Sequence, residues 1–185
     1  EAQKEQWLPQ IAAGSAASLA LTEEDGNWNL TEVASFAEMQ DGKLLLTAKK
    51  CFVLDAPQAA VVLVSAQVEG AARLIHVSAD QLPEGALVRE TVIDETRRSY
   101  TLEVDALALS ADQLLPGSDF DSIEHAALLL LSAEMSGGLA GVLHVIIDYL
   151  TTRKQFDQYI GSYQSLKHPT VQILLSMEAC RSHLY

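Results

Sequence analysis

The apolar residues of this chain change their spacing once, at Pro116-Gly117. Before that point they recur with the period of strands, and after it with the period of helices. Residues 61–64 (Val-Val-Leu-Val) form a run suited to a strand buried on both faces. Residues 18–22, 33–39, 43–47, 74–77 and 99–104 read as further short strands. Asp41-Gly42 is a two-residue hairpin signal, and Pro83-Glu84-Gly85 marks another turn. Short strands in series, with no long helical pattern between them, predict an antiparallel sandwich or barrel.

Beyond Pro116, Asp119 or Asp121 can cap a helix that runs to about Thr152. Apolar or small residues cover most of its surface, including Ile123, Ala126, Leu130, Gly137, Gly138, Gly141 and Val145. A helix apolar on nearly all sides belongs inside a bundle. Its glycines would let neighbouring backbones approach, at a cost in helix propensity of about 1 kcal/mol each. A polar break leads to a second helix from about Tyr163 to Tyr185. Pro169 inside it should remove one hydrogen bond and bend it. Two such helices carry more apolar surface than they can bury against each other, so other segments or subunits must cover it. At the other end, Trp7, Leu8, Ile11 and Ala12 share one helix face and Gly14 is a natural stop. The expected class is α+β. Residues 1–14 would end a truncated N-terminal helical domain, 15–116 would form the β-domain, and 117–185 would give two long helices of an up-down bundle.

Composition narrows the function. A net charge of −13 opposes nucleic acid and polybasic membrane binding, and also serves simple solubility. Cys51 and Cys180 lie far apart and the five histidines are scattered, so neither a disulfide framework nor a zinc site is expected. The apolar stretch over 126–147 is interrupted by Glu134 and His144 and diluted by Ser132, Ser136 and glycines. That favours a buried core helix over a membrane span. With no signal peptide evident, a cytoplasmic location follows by default. The start at Glu1 rather than Met suggests a fragment or a processed product.

Three motifs carry chemistry. Arg153, Phe156, Ile160, Tyr163 and Gln164, followed by Lys167-His168, resemble the acyl-CoA dehydrogenase signature Arg-x-x-Phe-Gly-x-x-Ile-x-x-Phe-Gln. The flanks match as well, at Glu134-Met135-x-Gly137-Gly138 and Glu178-Ala179-x-Arg181. In that family the Arg and Gln contact the adenosine diphosphate part of FAD bound by a neighbouring subunit. A planar guanidinium suits a pyrophosphate because it donates two hydrogen bonds at once. On the residues alone, Arg153 also reads as a charge offsetting a helix dipole. Asp157 stands where the family has Gly.

Gln3, Trp7-Leu8-Pro9 and Leu19-Ala20-Leu21-Thr22-Glu23 resemble the family's Gln-Lys-x-x-Trp-Leu-Pro and Ala-Leu-Thr-Glu segments. The resemblance places Leu21 and Thr22 against the flavin ring; without it, Thr22 is an ordinary strand residue. The following stretch, 24–29, lacks the family's Gly-Ala-Gly-Ser loop. Lys50-Cys51-Phe52-Val53-Leu54 aligns with the family's Lys-x-Trp-Ile-Thr, which puts Phe52 and Leu54 beside the flavin. Leu54 replaces a threonine and so loses a side-chain donor. The alternative is that Phe52 and Leu54 are plain core.

The family abstracts an α-proton with a glutamate while the flavin accepts hydride from the β-carbon. No base can be assigned in this chain. The minority position on the first long helix falls at Ala127. Glu124 lies one turn earlier in poor register, and Glu134 is expected inside the bundle as a hydrogen-bond acceptor. The resemblance therefore implies a fragment of an FAD-dependent α,β-desaturase of fatty or steroid acyl-CoA thioesters, inactive in isolation. Its cofactor would be FAD. Its partners would be an acyl-CoA, an electron-transfer flavoprotein and other dehydrogenase chains in a homo- or hetero-oligomer. The alternatives are a non-catalytic partner subunit of a heteromeric dehydrogenase, or an interaction module that keeps only the fold.

Overall fold

A computed structural model describes Ala2–Tyr185, which divides into two compact units, 2–120 and Asp121–Tyr185. Unit 1 opens with helix α1 (Ala2–Ala12). Gly14, at φ 104°, ends it: the Gly14 N–H donates to the Ile11 carbonyl (3.0 Å) and the Ser15 N–H to the Gln10 carbonyl (2.9 Å). This is the Schellman pattern, which needs a residue that tolerates positive φ.

Strands β1 (Ala16–Ala20), β2 (Phe36–Gln40), β3 (Lys43–Leu54), β4 (Ala59–Val68), β5 (Ala71–Ser78), β6 (Leu87–Arg89) and β7 (Ser99–Ser110) follow. They form one sheet in the order β1-β4-β2-β3-β7-β6, with β5 also on β4. Asp41 (φ 48°) and Gly42 (φ 77°) join β2 to β3 in the two-residue turn expected there. The sheet does not close into a barrel and is sandwich-like. It is also mixed rather than purely antiparallel, because β4 runs parallel to β1 and, at one residue pair, to β2. The β2–β3 hairpin intervenes between β1 and β4 and returns the chain to its first direction, which is the crossover a parallel pair requires. The core lies within this unit and contains Leu44, Leu46, Val53, Val62, Val64, Ile75, Val77 and Leu102.

Unit 2 consists of α2 (Phe120–Thr152), a short hairpin of β8 (Lys154–Gln155) and β9 (Gln158–Tyr159), and α3 (Gln164–Leu184) with Pro169 inside it. The residues between Leu129 and Ala140 of α2 face Met177, Arg181 and Leu184 near the end of α3. The Ile160 N–H donates to the Arg153 carbonyl (2.9 Å) where the hairpin returns to the end of α2, so the two helices run antiparallel.

Two features expected of α2 in a bundle are not supplied by the described residues of this chain alone. Nothing lies within 4 Å of where a Cβ would sit on Gly137, Gly138 or Gly141, so no backbone approaches them. α2 is not a buried core helix within this chain either. Leu130 and Val145 are 69% and 67% exposed, and Glu134 is exposed too. By length and composition α2 could cross a membrane. The physical reason for both departures is the same: one neighbouring helix covers one stripe of α2 and leaves the rest of its circumference open.

Candidate functional site

Along β3 the side chains alternate, and Leu44, Leu46, Ala48 and Lys50 all point into the core. The period therefore carries a lysine inside, and Lys50 is fully buried. Its Nζ donates to Glu23 Oε1 (2.7 Å), Ser65 Oγ (3.0 Å) and the Leu21 carbonyl (3.4 Å). The Glu23 carboxylate also accepts from the Ala34 N–H (2.7 Å), the Ser35 N–H (2.9 Å) and Ser35 Oγ (2.6 Å). Burial pushes the Glu23 carboxyl up, but the bonds from Lys50, Ser35 and Ala34 outweigh it and hold it at about 2. Burial likewise pushes Lys50 down, and Glu23 opposes that.

Directly after Lys50 the register against β7 slips before Val53, and Phe52 adopts φ 57°. This bulge reverses the phase of the strand. Cys51 and Val53 become buried, while Phe52 and Leu54 turn outward at 61% and 41% exposure. They are not plain core. Burial and the nearby Glu90 and Glu24 carboxylates push the Cys51 thiol up, so it is not an activated nucleophile.

Thr22 closes the site from β1's side. The Cys51 N–H donates to the Thr22 carbonyl (2.9 Å) and Thr22 Oγ1 donates to the Cys51 carbonyl (2.7 Å). These bonds set Thr22, with Leu21 before it, beside the bulge that carries Phe52, while the Leu54 carbonyl accepts from Ser18 Oγ (2.6 Å). A further residue, Glu90, was not legible in the sequence. Its carboxylate accepts from the Phe52 N–H (3.2 Å), Ser99 Oγ (2.6 Å) and Thr101 Oγ1 (2.8 Å). The Lys50–Glu23 pair was missed as well, although Lys50 in phase with Leu44, Leu46 and Ala48 was the available signal. Beside the bulge lies a cavity of about 520 Å³, lined by Glu23, Glu24, Asp25, Lys49, Glu103 and Asp105 among others.

In unit 2, Arg153 follows the last turn of α2 and is exposed. Phe156 (φ 53°) and Asp157 (φ 62°) form the turn between β8 and β9. Positive φ at both positions explains why a glycine suits position 157 and why aspartate, which tolerates this conformation, can replace it. Phe156 is held there almost wholly exposed. Tyr163 Oη donates to the Gln155 carbonyl (2.9 Å), which ties the hairpin to the start of α3, where Gln164 is exposed. On α2, Glu124 and Ala127 are both exposed.

A flavin ring fits the face at the bulge in part. Phe52 and Leu54 offer apolar contact, and the Thr22 hydroxyl oxygen keeps its lone pairs as acceptors while its O–H donates a hydrogen bond to the Cys51 carbonyl. Leu54 offers no side-chain donor, and Glu90 already holds the Phe52 N–H. Arg153, exposed and forked, fits a diphosphate.

No protein-family model matches the chain. It is 26% identical over 98% of its length to the L-prolyl-[peptidyl-carrier protein] dehydrogenase of Serratia sp. (strain ATCC 39006), covering 50% of that protein. It is 28% identical over 97% of its length to the acyl-CoA dehydrogenase fadE12 of Mycobacterium bovis, covering 49% of it. In structure, all of the chain superposes on 49% of the glutaryl-CoA dehydrogenase of Mycobacterium smegmatis with a TM-score of 0.87 at 21% identity. A glutaryl-CoA dehydrogenase of the same organism in complex with FADH2 gives a TM-score of 0.81 at 24% identity, covering 98% of this chain and 50% of that one. The chain spans about half the length of the relatives it matches, and over nearly all of its own length it resembles acyl-CoA dehydrogenases in sequence and shares their fold.

Proposed function

We propose that the chain is the flavin-facing part of an FAD-dependent dehydrogenase that desaturates an acyl thioester. The observation that supports this best is the pairing of Thr22 with Cys51, which sets residues 21–22 beside the bulge that turns Phe52 and Leu54 outward. These residues come from two separate sequence segments, and Thr22 is hydrogen-bonded to Cys51 between them. Bound FAD would supply the hydride acceptor. This chain's own part is to present an apolar face and the Thr22 hydroxyl to the ring, and Arg153, Phe156 and Gln164 to the adenosine diphosphate portion. The base would come from outside these residues, because Ala127 carries no carboxylate and Glu90 is engaged with Phe52, Ser99 and Thr101. The substrate class is an acyl thioester on coenzyme A or on a carrier protein, since the relatives' names include both. An electron-transfer flavoprotein would take the electrons. Further chains of the same type would cover α2, and a cytoplasmic location accords with this role.

One observation favours a second reading, a non-catalytic subunit of a heteromeric dehydrogenase. Leu54 withholds a donor, and Glu24 and Asp25 line the cavity beside the bulge with charge that repels phosphates. FAD titration followed by flavin fluorescence tests both readings. Under the first, FAD binds, and Arg153→Ala weakens it by about tenfold or more through loss of charge-assisted bonds. FAD that binds with unchanged affinity in Arg153→Ala removes that residue from the site. No FAD binding at all supports the second reading.

A further inference from the structure

Apart from the bulge, unit 1 contains a cavity of about 270 Å³ between α1 and the sheet. Leu8, Ile11, Val61 and Leu63 give it apolar walls, and Trp7 and His76 also line it. His76 is 6% exposed and meets the Trp7 ring edge-on at 5.9 Å between centroids. Trp7 Nε1 and His76 Nδ1 are both buried, and neither has a hydrogen-bond partner among the described residues.

Native interiors rarely leave such atoms unpaired, because each costs about 1–3 kcal/mol when buried without a partner. The two atoms have opposite needs. The indole N–H can only donate. Burial pushes the His76 pKa down, so the ring is neutral at neutral pH, and the Asp112 carbonyl is the hydrogen-bond partner of its other nitrogen. Nδ1 is therefore a bare acceptor. A hydroxyl group satisfies both atoms at once, accepting from Trp7 and donating to His76. A lone water would also do so, but it fills only about 30 Å³ and would leave the apolar walls, of which Leu8 is 57% and Ile11 42% exposed, facing solvent.

We infer that this cavity is a binding site for a small neutral molecule with one hydroxyl on a compact apolar body. The site is separate from the bulge and does not depend on the function proposed above.

Three near-isosteric probes separate the contributions in the full chain, by ligand-observed saturation-transfer NMR and by the Trp7 indole N–H resonance. Cyclohexanol can donate and accept, cyclohexanone can only accept, and methylcyclohexane can do neither. Cyclohexanol should bind about tenfold more tightly than methylcyclohexane, with cyclohexanone between them, and should move the indole resonance. His76→Phe should remove the preference for the alcohol over the ketone, and His76→Gln, which keeps an acceptor, should retain it. Equal affinities for cyclohexanol and methylcyclohexane would overturn the inference. So would an indole resonance that none of the probes moves, or an alcohol preference that survives in a folded His76→Phe.

Discussion

Lys50 Nζ donates to Glu23 Oε1 across 2.7 Å, the lysine wholly enclosed and the glutamate side chain 11% exposed. Removing either partner leaves a charge with little solvent access. Lys50→Met or Glu23→Gln alone should therefore lower the unfolding free energy by about 3–5 kcal/mol. The double replacement should cost clearly less than the sum, because it leaves no orphan charge. Urea unfolding of the four proteins measures this, and strict additivity would show the pair to be uncoupled.

The same pair sets an acid limit. Glu23 titrates at about 2 in the fold against an ordinary 4.5. A carboxyl depressed by folding stabilises above its unfolded pKa, and that stabilisation is lost as pH falls through its folded pKa. This contribution, roughly 2–3 kcal/mol, should be complete above about pH 4.5 and gone by about pH 2. Glu23→Gln should lose this part of the acid dependence, as followed by urea midpoints across that range.

Gly161 contrasts with the glycines of α2. A Cβ at Gly161 would stand 2.8 Å from the Leu150 carbonyl oxygen, whereas nothing approaches Gly137 within 4 Å. Gly161→Ala should destabilise unit 2 by about 1–3 kcal/mol through overpacking. Gly137→Ala at high dilution should stabilise it by up to about 1 kcal/mol through helix propensity. Thermal melts with opposite signs are the expected outcome.

Leu54 is 41% exposed and its side chain can make no hydrogen bond. If the bulge receives a flavin ring, Leu54→Thr should raise FAD affinity by roughly threefold to tenfold, the worth of one added hydrogen bond. Isothermal titration of both proteins would detect it. Affinity unchanged by the substitution would place the ring away from residue 54.

The exposed apolar residues of α2, among them Leu130 and Val145, exceed what a solvated helix carries. The full chain should therefore self-associate in sedimentation, and Leu130→Glu with Val145→Glu should shift it towards monomer. A monomer at high concentration in the unaltered protein would show that this face is not self-complementary.

Much of the fold was legible in the sequence. The change of period at Pro116 located the passage from strands to helices. Asp41-Gly42 located a hairpin, and Gly14 located a helix stop. Each of these depends on local backbone preference or on short-range periodicity, which neighbouring residues carry. The motifs containing Thr22, Phe52 and Arg153 were equally readable as a resemblance. What they face was not readable, because strand alternation alone continues the phase of Leu44, Leu46, Ala48 and Lys50 and places Phe52 inside, and only the bulge turns it outward.

Only the tertiary structure decided the rest. It set β4 parallel to β1, a choice of strand neighbour that no local pattern encodes. It turned Phe52 and Leu54 outward by inserting one bulge after Lys50. It brought Glu90 to the Phe52 N–H across 38 residues and Glu23 to Lys50 across 27. Contacts over such separations arise from the packing of whole elements, and the sequence around either partner contains no trace of the other.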